Sequence, residues 1–110
     1  MTQAKYILNA FSLNFFNFSF GSTVNVSVTP VTTATAAVIA ANAQSAVGHQ
    51  STADVFSDVL GVDVACNRTS IALVSGDQVL VGQYKGPRLQ EGATQLPEGA
   101  TIAFLLVTVN

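Results

Sequence analysis

The run Thr101-Ile102-Ala103-Phe104-Leu105-Leu106-Val107-Thr108-Val109 constrains the fold more than any other part of the chain. It is apolar almost throughout and rich in β-branched side chains. A strand with water on one face alternates apolar with polar residues, so a run of this kind predicts a strand placed centrally in a sheet. Helices must then cover that sheet. With 110 residues the chain is long enough for one domain with a real core and too short for two, so residues 1–110 are read as a single domain.

The other elements follow in order. Lys5-Tyr6-Ile7-Leu8 reads as a first strand, which Asn9-Ala10-Phe11-Ser12 leaves as a loop, and Gly21-Ser22 turns the chain. Residues 23–28 alternate with period two, placing Val24, Val26 and Val28 on one face of a half-buried strand. Thr29-Pro30 has the form of N-cap and first turn for a helix over 31–45, where Val31, Ala34, Val38 and Ala41 fall near helical spacing. Ser51, followed by Asp54 ahead of Val55, Phe56, Val59 and Leu60, has the form of a capping box and predicts a helix over 52–60, stopped by Gly61. Val62-Asp63-Val64 is expected as a short extended piece. Residues 69–74 and 78–84 are expected as a hairpin around the turn Ser75-Gly76-Asp77, broken by Lys85-Gly86-Pro87. Residues 92–99, with Pro97, are expected as loop or a single helical turn. The order β, β, α, α, β, β, β predicts an α/β or α+β fold with a sheet of about five strands flanked by helices.

Charge narrows the partners. Lys5, Arg68, Lys85 and Arg88 face six acids, a formal net charge of −2, which argues against a long nucleic acid duplex or an anionic membrane surface and leaves room for a small anion in a focused pocket. A hydrophobic fraction of 49% with 9% charged residues excludes disorder and leaves a weakly charged surface for another copy of the chain to cover. Cys66 is alone, so an internal disulfide is excluded. With a single histidine beside it, a His/Cys metal site is not expected, nor is any cofactor. Cys66 itself is expected as a small buried filler. Phe11, Phe15, Phe16, Phe18 and Phe20 are expected in the core or at a dimer interface. No run suits a membrane span and none reads as a signal peptide, which predicts a soluble cytoplasmic protein.

Gly48-His49-Gln50-Ser51-Thr52 holds the histidine two residues outside the second predicted helix. The first N–H groups of a helix lack intrahelical acceptors and carry partial positive charge, so phosphate is a natural neighbour there. A histidine beside a phosphate diester is well placed for proton transfer. The alternative is an ordinary polar loop residue. Arg68 and Arg88 have the planar fork that matches phosphate oxygens, against the alternative of solvated surface charge.

Asn9-Ala10-Phe11-Ser12, Gly48-His49-Gln50-Ser51-Thr52, Asn67-Arg68 and Arg88-Leu89-Gln90-Glu91-Gly92 resemble, in order and spacing, the viral ring nuclease family of type III anti-CRISPR proteins. The resemblance covers nearly the whole chain, from Tyr6 to Val109. It implies a small α/β homodimer with a mixed sheet, and a pocket on the two-fold axis. It further implies a metal-independent phosphodiesterase that cuts cyclic tetra-adenylate to linear di-adenylate with a 2′,3′-cyclic phosphate, switching off type III CRISPR signalling. On matching positions, His49 is the general acid and Glu91 orients or assists it. Arg68 and Arg88 hold phosphates, while Asn9, Ser12, Ser51, Thr52 and Gln83 contact the substrate. Two other classes of function compete. One is a sponge that binds a cyclic nucleotide signal without cutting it, and the other is an interaction protein that has lost the pocket.

Overall fold

The computed structural model describes residues 3–110, so Met1 and Thr2 of the single domain read from the sequence lie outside the described residues. The elements are β1 (Tyr6–Leu8), a 3-10 turn (Leu13–Phe15), β2 (Val26–Val31), α1 (Thr33–Ala41), β3 (Gln44–Ser45), α2 (Gln50–Leu60), β4 (Gln78–Lys85) and β5 (Thr101–Val109). They build one mixed five-stranded sheet in the order β2-β5-β4-β1-β3. β5 pairs antiparallel with both β2 and β4, whereas β1 lies parallel to β4 on one side and to β3 on the other. The expected α/β or α+β architecture is therefore present. The apolar run of β5 is interior to the sheet, as its composition requires, although β4 takes the middle place.

Alternation along β1 and β4 separates two cores. Ile7 and Leu80 face α1 and α2, where they pack with Ala36, Ile39, Ala40, Ala53, Phe56 and Leu60. Leu8, Val79, Val81, Val107 and Val109 face the other way. Among the described residues no α-helix covers that second face; Phe15 of the 3-10 turn and Phe11, Phe16, Ile71 and Leu73 from loops cover it. Three of the five clustered phenylalanines thus belong to the core margin, while Phe18 and Phe20 are exposed. No helix of the described residues is long and apolar enough to cross a membrane.

Several expected elements fall elsewhere, each for a local reason. The strand expected over 23–28 runs later, as β2, and includes Pro30, which an edge strand tolerates because no ladder bond is demanded of its nitrogen on the open side. The helix expected over 31–45 is consequently shorter. Thr32 is its N-cap, accepting the Thr35 amide at 3.1 Å, and its last residues form β3 against β1. Residues 69–74 form no strand. β4 is already paired on both edges by β1 and β5, leaving no ladder for a hairpin partner, so Leu73 bonds Phe15 across a loop instead. The turn at Ser75-Gly76-Asp77 does form, with Gly76 at φ 94° and Asp77 Oδ2 accepting the Val74 amide at 2.9 Å. Residues 62–64 are irregular, Val64 being tied to the Ser57 hydroxyl. Cys66 is exposed rather than buried, because its segment lies outside β3 at the sheet margin.

Candidate functional site

β1, β3 and β4 are mutually parallel, so their carboxyl ends open on the same edge of the sheet. In α/β sheets that edge is where ligands bind. Asn9 follows β1, His49 follows β3 by way of Val47 and Gly48, and Tyr84 stands near the end of β4. All three line one open cleft of about 1130 Å³. The first turn of α2 contributes Gln50, Ser51 and Thr52, and the connection after β4 contributes Gly86, Arg88, Leu89, Gln90 and Glu91.

The start of α2 differs from expectation in a way that matters for the chemistry. The helix begins at Gln50, and His49 itself is the N-cap, in extended conformation with φ −129° and ψ 134°. Its carbonyl accepts the Ala53 amide at 3.0 Å, the first bond of the helix, but its side chain makes no capping bond. Ser51 is not a cap, because its hydroxyl donates to the Gln90 carbonyl at 3.2 Å. Asp54 does not cap either, since it accepts the Gln50 side-chain amide at 2.8 Å. Among the described residues no side-chain oxygen closes the helix N-terminus, and an exposed imidazole stands beside it. At the far end Gly61 adopts φ 70° and stops the helix as expected.

Of the residues singled out from the sequence, Asn9, His49, Ser51, Thr52, Arg88 and Glu91 line the cleft together. Ser12, Arg68 and Gln83 are not among its lining residues. Ser12 caps the 3-10 turn by accepting the Asn14 amide at 3.1 Å. Gln83 is an exposed position of β4 opposite Ala103. Arg68 donates from Nε to the Gly48 carbonyl at 3.0 Å. Tyr84 and Gly86 also line the cleft, although neither is among the candidate site residues of the sequence. Their place at a carboxyl edge follows only once β4 is known to run parallel to β1, and residues 78–84 were assigned to a hairpin. Tyr84 donates its hydroxyl to the Pro87 carbonyl, and Gly86 packs so closely on Ala100 that a Cβ there would come within 2.6 Å of the Ala100 Cβ. The base of the Arg88 loop is thereby fixed on the sheet.

A family model described as STIV B116-like matches residues 5–103. The chain belongs to the STIV B116-like family. This is the viral ring nuclease-like family of archaeal virus proteins that the four sequence segments resemble. Among solved structures, B116 of Sulfolobus turreted icosahedral virus matches with a TM-score of 0.72 at 22% identity, over 97% of this chain and 99% of that one. At that identity the likeness is one of fold. No curated protein matches the chain.

In this STIV B116-like chain the cleft combines three kinds of group. An imidazole can give or take a proton, a guanidinium can neutralise an oxyanion, and an uncapped helix N-terminus supplies amides with partial positive charge. Glu91 is the carboxylate of the lining. Together they suit an anionic ligand undergoing proton transfer.

Proposed function

We propose that this protein cleaves cyclic tetra-adenylate to linear di-adenylates ending in a 2′,3′-cyclic phosphate, without a metal, and so silences type III CRISPR signalling in the cytoplasm of the host cell. The observation that carries the reading is His49 at the uncapped start of α2, lining the same cleft as Arg88 and Glu91. An RNA phosphodiester brings its own nucleophile. The 2′ hydroxyl gives up its proton to solvent water as its oxygen attacks phosphorus, the bond to the 5′ oxygen breaks, and the leaving oxygen needs a proton. His49 donates it; the α2 amides and Arg88 neutralise the phosphorane charge; Glu91 orients or assists the imidazole. Asn9, Ser51 and Thr52 contact the ligand from the lining. The open cleft of about 1130 Å³ leaves room for part of an oligonucleotide ring.

A homodimer completes the site. Two-fold symmetry presents a His49 to each of two opposite phosphodiesters of a four-membered ring, and cutting both yields two dinucleotides. The test is to incubate the protein with cyclic tri-, tetra- and hexa-adenylate in the presence of chelator and to identify products by chromatography and mass spectrometry. Conversion of the four-membered ring to di-adenylate supports the nuclease. Intact ring co-eluting with the protein supports the sponge instead, and the absence of both binding and loss overturns both.

A further inference from the structure

The groups of the cleft described so far address phosphate. An imidazole, a guanidinium and open helix amides meet the backbone of a nucleic acid, which is the same whatever base it carries. Among the described residues that line the cleft, Tyr84 is the one with a six-membered ring. Its place follows from the alternation of β4. Leu80, Gly82 and Tyr84 share the face that the helices cover: Leu80 is buried in the core, Gly82 lies against Phe56 of α2, and Tyr84 stands one step further toward the carboxyl end. The cover of α2 ends there, because the helix begins at Gln50, which lines the cleft with Tyr84. Tyr84 is accordingly half-buried, whereas Leu80 and Gly82 are buried.

The ring is anchored at both ends. Its Cα belongs to β4 and is paired with Ile102 of β5, which packs against the same core. Its hydroxyl donates to the Pro87 carbonyl. That bond commits the phenolic proton within the chain, so what the side chain has left to offer a ligand is its ring. A tyrosine has few rotatable bonds, and one already held at both ends loses little freedom when a ligand settles on it. Nucleobases stack on such rings without a hydrogen-bond code, and the preference that results follows stacking strength. We infer that Tyr84 is the base platform of the cleft: one nucleobase of the ligand stacks on its ring, so the site favours purine over pyrimidine oligonucleotides of equal charge. The inference rests on the reading of the cleft as a cyclic oligonucleotide site.

The experiment uses two ligands of equal charge, cyclic tetra-deoxyadenylate and cyclic tetra-deoxyuridylate. Both lack the 2′ hydroxyl nucleophile and so stay intact in the proposed reaction. Kd is measured by calorimetric titration for wild type, Tyr84→Phe and Tyr84→Leu. Both variants lose the bond to Pro87, and only leucine also loses the aromatic face, so the difference between them belongs to the ring. Tyr84→Leu should bind the adenine ligand about five- to a hundredfold more weakly than Tyr84→Phe, the scale of one stacked base. The preference of wild type for the adenine ligand should shrink toward none in Tyr84→Leu. Tyrosine fluorescence gives a second reading. The chain has two tyrosines and no tryptophan, and Tyr6 packs on the other face of the sheet. The adenine ligand should quench emission in wild type and leave the remaining Tyr6 emission of Tyr84→Phe unchanged.

Equal Kd values for the adenine ligand in Tyr84→Phe and Tyr84→Leu would overturn the inference and reduce Tyr84 to an anchor of its loop. So would an equal loss of affinity for both ligands in Tyr84→Leu, or unquenched wild-type emission at saturation with the adenine ligand. Those results leave the cyclic oligonucleotide reading intact. Failure of wild type to bind either ligand would instead overturn that reading, and this inference with it.

Discussion

Phe56 of α2 lies directly on the backbone of Gly82 in β4: a Cβ at Gly82 would come within 2.5 Å of Phe56 Cζ and 2.6 Å of Cε2, with Phe104 Cε1 at 3.2 Å. The Phe56 ring is 1% exposed and meets Phe104 edge-on, so it has nowhere to retreat. This contact sets the height of α2 above the sheet, and α2 begins at the cleft. Gly82→Ala should destabilise the fold by about 1–3 kcal/mol, the usual cost of overpacking. It should also slow cleavage, because lifting the helix displaces its first turn. Urea denaturation at equilibrium measures the first effect and a single-turnover assay the second.

Thr32 provides a control remote from the cleft. Its Oγ1 accepts the Thr35 amide at 3.1 Å and its carbonyl accepts the Ala36 amide at 2.8 Å, opening α1. Thr32→Ala should cost about 1 kcal/mol of stability, the typical value for a lost N-cap. Cleavage by the folded protein should be unchanged. A denaturation midpoint shifted without a change in rate is the expected pair of results.

Arg88 is the arginine of the cleft lining. Replacing it with alanine should weaken binding of the anionic ring by about ten- to a hundredfold, as expected for loss of one charge-assisted hydrogen bond worth roughly 1.5–3 kcal/mol. The difference from wild type should shrink as salt is raised, because mobile ions screen exposed charge. Calorimetric titration at two ionic strengths reads both.

Tyr84 ties the same loop to the sheet through its hydroxyl and the Pro87 carbonyl. Tyr84→Phe removes the donor and keeps the ring. Stability should fall by about 0.5–1.5 kcal/mol, the net value of one hydrogen bond. Faster amide exchange across residues 86–92 would show that the loss is local to the loop.

The sequence reading was most reliable where one local signal decided the matter. β5 announces itself by its apolar run, Gly61 stops α2 as its left-handed conformation requires, and Asn9, His49, Arg88 and Glu91 meet in one cleft as their place in short motifs suggests. It failed where tertiary pairing overrode local pattern. Residues 69–74 look like a strand, but β1 and β5 occupy both edges of β4. Ser51 looks like an N-cap, but the Gln90 carbonyl takes its hydroxyl from a residue far along the chain. Cys66 looks like a buried filler, yet its neighbours Asn67 and Arg68 are the residues that fasten the segment, leaving the thiol outward. Tyr84 carried no motif at all, and only the parallel pairing of β4 with β1 brings it to the cleft.

The central claim is that His49 protonates the leaving 5′ oxygen. Its most direct test is single-turnover cleavage of cyclic tetra-adenylate by wild type and His49→Ala, with Kd measured on the same preparations. The account predicts a rate lower by about a hundredfold to ten-thousandfold in the variant, the range for general acid catalysis, with affinity largely retained. Full activity in His49→Ala would contradict it.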